Sequence, residues 1–536
     1  MFRKLFALLM ILVMLISAAG CGADKSSENK PAEGSAKEQA HQSTQQATTQ
    51  EEKDDDKKPI EFSVLINHPW YWIDSFGGRP VDDKITELTG VKLNVTRSAD
   101  YNQLPVMMAS KDLPDFIYTD DKIEELSTPE MSYAWSDLIE QYAPDFKLDP
   151  LEIKLNMAPD GKVYTVKNLY QTEEQAKDPH MLPSIGSPGL IIRKDILEKL
   201  GNPSISSLED YENVLEQVKQ KFPDMVPLTI CMAQDKITYF YSLFGAESAG
   251  SRMFIKDGKV YNFLRDPGIK EGLKYVNKLY RKGYIPKESL IYNYEQWEGN
   301  VNSGKVFSWV FSVGGVAGFN ANFKQMGLDA EAGLVTKLLK PGAKFINDGV
   351  GWCGFFITKN NKDPERAIKF VQFLKSEEGQ RLTCWGVEGI HYTMGSDGYP
   401  DLTPKMNEII KDYTKMVQTE GMSAWNFTIS QYYEALWAYE SQSPEVIETL
   451  TSVKDATVYK PEYYFLTPPP GSDEIAIRDK ITEMYKNEYL KLIVAASEAE
   501  FDAGYDDMLK KANDLGLEQL EKWMTDKLPE VMERLK

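Results

Sequence analysis

The chain predicts an α/β protein built as two lobes, on three observations. Strand and helix signals alternate along it, the unit from which parallel sheets are assembled. The part with folding composition, about 480 residues, exceeds the 250 to 300 residues that one hydrophobic core serves. No internal apolar run approaches the roughly 20 residues that span a bilayer.

The elements follow in order. Arg3 and Lys4, an apolar stretch from Leu5 to Ile16, and the small residues Ala18, Ala19 and Gly20 ahead of Cys21 have the three parts of a secretory signal. Residues 1–20 are therefore expected to be removed. The run Ala18-Ala19-Gly20-Cys21 resembles the bacterial lipobox, in which the thiol of the cysteine is lipidated, with Ala18 standing where that pattern usually has Leu. Residues 21–58 then carry almost nothing apolar and cannot bury enough surface to offset their ordering entropy. As a flexible coil this tract reaches roughly 35 Å, a spacer between a lipid anchor and a folded body.

The first strand is expected over Ile60–Ile66, followed by the unusual His68-Pro69-Trp70-Tyr71-Trp72. A helix over Pro80–Thr89 ends at Gly90, and Val91–Val95 supplies the next strand. Gln103–Ser110 reads as a helix and Phe116–Tyr118 as a short strand running out into Thr119, Asp120 and Asp121. Leu190–Arg193 is a strand and the following helix closes at Gly201. Ser207 begins a capping box ahead of the stripe Leu208, Tyr211, Leu215 and Val218. Phe355–Thr358 is a strand, and Asp363 caps a helix with Pro364 in its first position and Ala367, Ile368, Val371 and Leu374 on its buried face. From Ser472 onward the pattern is helical.

A formal net charge of -20 argues against nucleic acid or an anionic lipid surface as partner, since both select basic proteins. Beyond Cys21 only Cys231, Cys353 and Cys384 remain, so at most one disulfide can form and stability must come from the core. There is no His-Glu-x-x-His, Cys-x-x-Cys, phosphate-binding glycine loop or Gly-x-Ser-x-Gly, and the imitation Ala246-Glu247-Ser248-Ala249-Gly250 has no local histidine as its base. No catalytic group, cofactor or metal is expected.

Several stretches taken together, namely Val64 to Trp72, Ala109 to Asp115, Gly189 to Gly201 and Ile357 to Gly379, resemble the solute-binding lipoproteins of carbohydrate ABC importers, especially their large oligosaccharide subgroup. The resemblance implies the type II periplasmic-binding-protein clamp, a hinge of two or three crossings, and a sugar held between the lobes. It places the first lobe at residues 59–165 plus about 350–395 and the second at about 166–349 plus 396–536. It implies a monomer tethered to the extracytoplasmic face of the cell membrane, delivering its ligand to permease subunits driven by a cytoplasmic ATPase. Some relatives carry a calcium loop where this chain reads Lys219 to Met225, with one carboxylate, Asp224, so that site is expected to be absent.

Sugars lie flat on aromatic rings while carboxylates take their hydroxyls, and ligands of open α/β sheets sit beyond the carboxyl ends of strands. The candidates are Trp70, Tyr71 and Trp72 after the first strand, Asp120 after another, Trp309 at a strand end in the second lobe, Trp352 at the hinge, and the helical-spaced group Trp425, Tyr433 and Trp437. Tyr432 belongs to the same helical-spaced group, Trp385, Tyr239 and Tyr241 rank behind these, and His391 reads as a structural hydrogen-bonder. A peptide-binding clamp is the alternative, and a surface glycan-cleaving enzyme a third, for which no converging acid and base pair is visible.

Overall fold

Runs of alternately directed side chains pair into two four-stranded sheets in the computed structural model, which describes residues 58–536 apart from 173 and 470. The signal segment, Cys21 and nearly all of the expected spacer lie outside the described residues. Eight strands build the two sheets: β1 (Ile60–Ile66), β2 (Val91–Arg97), β3 (Phe116–Thr119), β4 (Pro188–Arg193), β5 (Val226–Ile230), β6 (Val306–Ser312), β7 (Ala332–Leu334) and β8 (Gly354–Ile357).

The first sheet has the order β8-β3-β1-β2. β1 runs parallel to β2 and β3, and β8 is antiparallel to β3 at the edge. Because side chains alternate along a strand, each strand feeds two cores. Phe62, Val64, Ile66, Phe116, Tyr118, Phe355 and Ile357 enter one, while Leu65, Ile117 and Phe356 enter the other. The helices on the faces start and stop where the sequence predicts. The helix Pro80–Thr89 ends at Gly90, whose φ of 69° lets its N–H return to the Thr86 carbonyl. Asp363 accepts from the Arg366 N–H, and Ala367, Ile368, Val371 and Leu374 are buried behind it.

The second sheet has the order β5-β6-β4-β7, with β5 parallel to β6 and β4 antiparallel to both its neighbours. Ser207 caps the helix Leu208–Lys221 by accepting from the Asp210 N–H. Leu190, Ile192, Leu228 and Ile230 on one face share a core with the helices Leu208–Lys221 and Pro267–Arg281, beyond which lie the three long C-terminal helices Asp473–Ile493, Glu498–Asp514 and Leu517–Leu535. Ile191, Val306 and Trp309 pack on the other with Phe319, Phe323, Val446 and Leu450.

Three crossings join the sheets. The first two lie antiparallel: the Thr165 hydroxyl accepts from the Phe355 N–H at 2.8 Å and donates to its carbonyl at 3.0 Å, and Lys167 and Tyr170 form bridges with Gly354 and Val350. The third falls at Gln442 and Ser443. The helix Gln431–Ser441 places Leu436 and Trp437 in the core of the first sheet, and the helix Pro444–Asp455 places Val446 and Leu450 in the core of the second.

This corrects the expected boundary near residue 395. Met406, Met416, Met422, Trp425, Phe427 and Ile429 all join Phe62 and Phe116 beneath the first sheet. An apolar helical stripe specifies that a face is buried, not which of two sheets buries it.

Trp425 shows what fastens this returning segment. Its indole N–H donates to Asp82 Oδ1 at 2.7 Å, and the other oxygen of Asp82 takes Arg79 Nε and the Gly77 N–H, all at a buried carboxylate. Removing one partner of a buried pair leaves the other charge unpaired. Asp82→Ala is therefore expected to cost roughly 3 to 5 kcal/mol in urea-induced unfolding followed by tryptophan fluorescence, and Asp82→Asn, which keeps an acceptor for Trp425, clearly less.

Candidate ligand-binding cleft

The carboxyl ends of β1, β2 and β3 lie at one edge of the first sheet, since the three strands are parallel. Asn67 ties their loops together. Its Nδ2 donates to Thr119 Oγ1 at the end of β3 at 3.0 Å, and its Oδ1 accepts from Ser98 Oγ after β2 at 3.0 Å. Arg97 at the end of β2 holds the aromatic loop from the side, donating to the Pro69 carbonyl and to Asp74. With those ties the loop turns tightly, the Tyr71 N–H bonding the His68 carbonyl, and consecutive rings face opposite ways.

Trp70 and Trp72 point outward, 44% and 37% exposed, and Tyr101 from the loop after β2 joins them at 45%. Trp70 and Trp352 lie nearly parallel, ring centres 6.0 Å apart at 25°, and Trp72 meets Trp70 edge-on at 5.3 Å. His68 fills the space behind, 4.9 Å from Trp70 and 5.3 Å from Trp352. The Asp120 carboxylate borders the same group, 3.8 Å from His68 Nδ1. Burial holds Asp120 above the usual carboxylate range, with the charge of Asp121 adding to it. Large rings that leave this much apolar surface in water mark a binding groove more often than a failure of packing.

The remaining candidates divide between core and periphery. Tyr71 turns inward, its hydroxyl donating to the Ala424 carbonyl at 2.8 Å. Trp309 is fully buried against Phe319 at 5.1 Å, because its position on β6 faces the helical layer rather than the strand ends. Trp425 is the buried donor to Asp82, and Trp437 packs beneath the first sheet. These four are corrected to core residues, since as folded they offer a ligand almost no surface. Tyr433 is half-buried and packs on Trp385 at 5.4 Å. Tyr239 and Tyr241 are buried, and His391 bonds the Glu420 carboxylate at 2.9 Å.

Sequence reasoning passed over His68, Tyr101, Tyr118 and Cys353. The signal for Tyr101 was present, since it too follows a strand. His68 follows β1 and Tyr118 lies within β3, but Cys353 is brought to them by β8, which it precedes, and its Sγ lies 3.1 Å from His68 Nε2.

At the second sheet the loop after β5 presents Asp235 and Lys236. Lys236 Nζ donates to Ser312 Oγ at the end of β6 at 3.1 Å and lies over the Phe311 ring, while Arg252 pairs with Asp235 at 3.5 Å. Burial raises the Asp235 carboxyl and lowers the Lys236 ammonium. At the hinge Asp348 is likewise raised by burial, and the Lys167 ammonium donates to the Tyr464 hydroxyl at 3.0 Å. Aromatic surface beside one sheet and hydrogen-bonding charges beside the other suit a ligand with both apolar faces and hydroxyl or amide edges.

Two α/β sheets joined by three crossings, with unpacked rings at the strand ends, define a two-lobed solute-binding fold of the periplasmic-binding type. The chain belongs to the family of bacterial extracellular solute-binding proteins, whose model matches residues 81–392, more than half of it. It is 24% identical over 329 residues to the fructooligosaccharide ABC transporter substrate-binding protein FusA of Streptococcus pneumoniae serotype 4, a match covering 57% of this chain and 59% of FusA, less than two thirds of its length. It is 23% identical over 375 residues to the lipoprotein LipO of Bacillus subtilis, covering 65% of this chain and 70% of LipO. Among solved structures, the alginate-binding protein AlgQ2 without calcium matches with a TM-score of 0.63 at 20% identity, over 88% of this chain and 98% of that one.

Burial pushes the His68 imidazole down from 6.5 to about 4. The unfolded chain therefore takes this proton first, so folding stability is lost as pH falls from about 6.5 toward 4 and is unaffected by His68 above that window. At 1.36 kcal/mol per unit the loss is roughly 3 kcal/mol at most. His391 is lowered as well and acts with the same sign, so the difference between two proteins isolates His68. His68→Gln is expected to show a shallower acid limb than the wild type when chemical unfolding is measured from pH 7 to 4.

Proposed function

We propose that this protein is a lipid-anchored substrate-binding protein that captures an oligosaccharide between its lobes and delivers it to an ABC importer. The observation that carries the reading is the ring wall of Trp70, Trp72, Tyr101 and Trp352 with Asp120 at its rim. A pyranose or furanose ring has an apolar C–H face that covers an indole and hydroxyls at its edge that donate to a carboxylate. The fructooligosaccharide and alginate named for its relatives are sugar chains, which supports the class without fixing the member. Cys21 in its lipobox-like run supports a tether on the extracytoplasmic face of the cell membrane.

Such a protein works by capture rather than turnover. A ligand that touches both lobes only when they are closed shifts the population toward the closed form, by no more than its difference in affinity for the two forms. The membrane permease then has a shape to distinguish loaded from empty. We take the working unit as one chain.

Calorimetry against a panel of neutral and acidic oligosaccharides, with peptides as a separate arm, tests the reading. At least one glycan is expected to bind and to change tryptophan emission. Trp70→Ala is expected to weaken that glycan by roughly 2 kcal/mol, about thirtyfold, as loss of a central aromatic contact does. Trp309→Phe, in the core, is expected to leave affinity within about twofold. Binding of peptides with no response to any glycan would replace the sugar reading by the peptide one.

A further inference from the structure

The contact between His68 and Cys353 has chemistry that sugar binding leaves unused. The two residues are 285 positions apart and meet because β8 lies beside β3, bringing the residue ahead of β8 to the loop that follows β1. His68 Nε2 is 3.1 Å from Cys353 Sγ, and Nδ1 is 3.8 Å from Asp120 Oδ1. One donor atom from each of the three lies within 4.8 Å of the others. His68 is fully buried, yet its Nδ1 makes no hydrogen bond among the described residues. A shielded imidazole whose one contact is a thiol is under-satisfied, and a group held between it, the thiol and the carboxylate would offset that cost.

We propose that Cys353 Sγ, a His68 ring nitrogen and the Asp120 carboxylate form a binding site for a borderline-soft divalent cation of the zinc class at the base of the aromatic wall. The donor set selects this class. Calcium and magnesium take oxygen ligands, whereas zinc takes thiolate, imidazole and carboxylate together. With bonds of about 2.3 Å to sulfur and about 2.0 to 2.2 Å to nitrogen and oxygen, tetrahedral ligands stand roughly 3.3 to 3.7 Å apart. Nε2 and the sulfur, 3.1 Å apart, are close to that separation, which makes Nε2 the ligating nitrogen and leaves Nδ1 facing Asp120. Asp120, its side chain 44% exposed, is the one free to swing in.

Three protein ligands leave a fourth position for water or a ligand hydroxyl, as open zinc sites do. On binding, the Cys353 S–H bond breaks, the sulfur lone pair bonds the cation, and the proton goes to solvent. Because the ligands come from three separate strand ends, no local spacing in the sequence announces them, and the expectation of no metal rested on local spacing alone. The inference is independent of which solute the cleft takes.

Cobalt(II) and zinc titrations of the reduced full chain in detergent, carrying Cys21→Ser to remove the thiol outside the described residues, test it. The expected results are a thiolate-to-cobalt charge-transfer band saturating at one equivalent, quenching of tryptophan emission by cobalt through Trp70 and Trp352, and reversal of the band by zinc. Calorimetry of zinc in buffers of different ionisation enthalpy is expected to read one proton released. Cys353→Ser should abolish the band, His68→Gln should weaken binding at least tenfold, and Cys231→Ser and Cys384→Ser should leave it unchanged. Absence of the band in the parent chain, its survival in Cys353→Ser, or zinc binding with no proton released would each overturn the proposal. If Cys353→Ser does not fold, as circular dichroism would report, the band and the proton count of the parent chain decide alone.

Discussion

One side chain, Asn168, holds the hinge to everything around it. Its Oδ1 accepts from the Cys353 N–H at 3.1 Å, and its Nδ2 donates to the Tyr118 hydroxyl and to the Asn426 carbonyl, both at 2.8 Å. Its own N–H bonds the Cys353 carbonyl. A single buried amide thus fixes the outgoing crossing, the incoming crossing, the strand β3 and the segment that returns beneath the first sheet. Buried amides with every group satisfied specify position as well as adding stability, because no slipped register offers them the same partners. The cleft inherits that register. Trp352 and Cys353 sit where they do because their neighbours in the chain are bonded to Asn168 and Thr165.

The cleft wall follows from two opposed demands. Strands need alternating apolar side chains to be covered, and the loops that leave them need hydrogen-bond partners for their polar groups. Asn67 and Arg97 meet the second demand at the ends of β1 to β3, and rings near them are thereby released from packing duty. Tyr71 remains a core residue and carries the loop; Trp70 and Trp72 are what the loop carries.

Strand and helix positions were legible in the sequence because they depend on local periodicity and local caps: Ser207, Asp363 and Gly90 do in space what their neighbours in sequence imply. The exposed rings were legible for a similar reason, as Trp70 and Trp72 directly follow a strand. Trp309, Trp425 and Trp437 were not, since a tryptophan reads alike whether its indole meets Phe319, Asp82 or water. The third crossing was hidden for a related reason. Amphipathic helices state that they have a partner, and only long-range packing names it. Tyr101 and the pairing of His68 with Cys353 depend on strand order, which the alternation of elements leaves open.

An odd number of crossings has a consequence for how the molecule is made. Ile60 lies in the first sheet and the helix ending at Leu535 in the second lobe, and each lobe is assembled from pieces separated by the other. The core around Phe62 and Phe116 remains open on one side until Trp425 and Trp437 have been synthesised, and the second core waits for the last helices. Neither lobe can finish on a partial chain. A polypeptide whose domains close only at the end of synthesis lacks its finished cores for most of its emergence, and a chain without finished cores is the kind that can be threaded through a translocation pore.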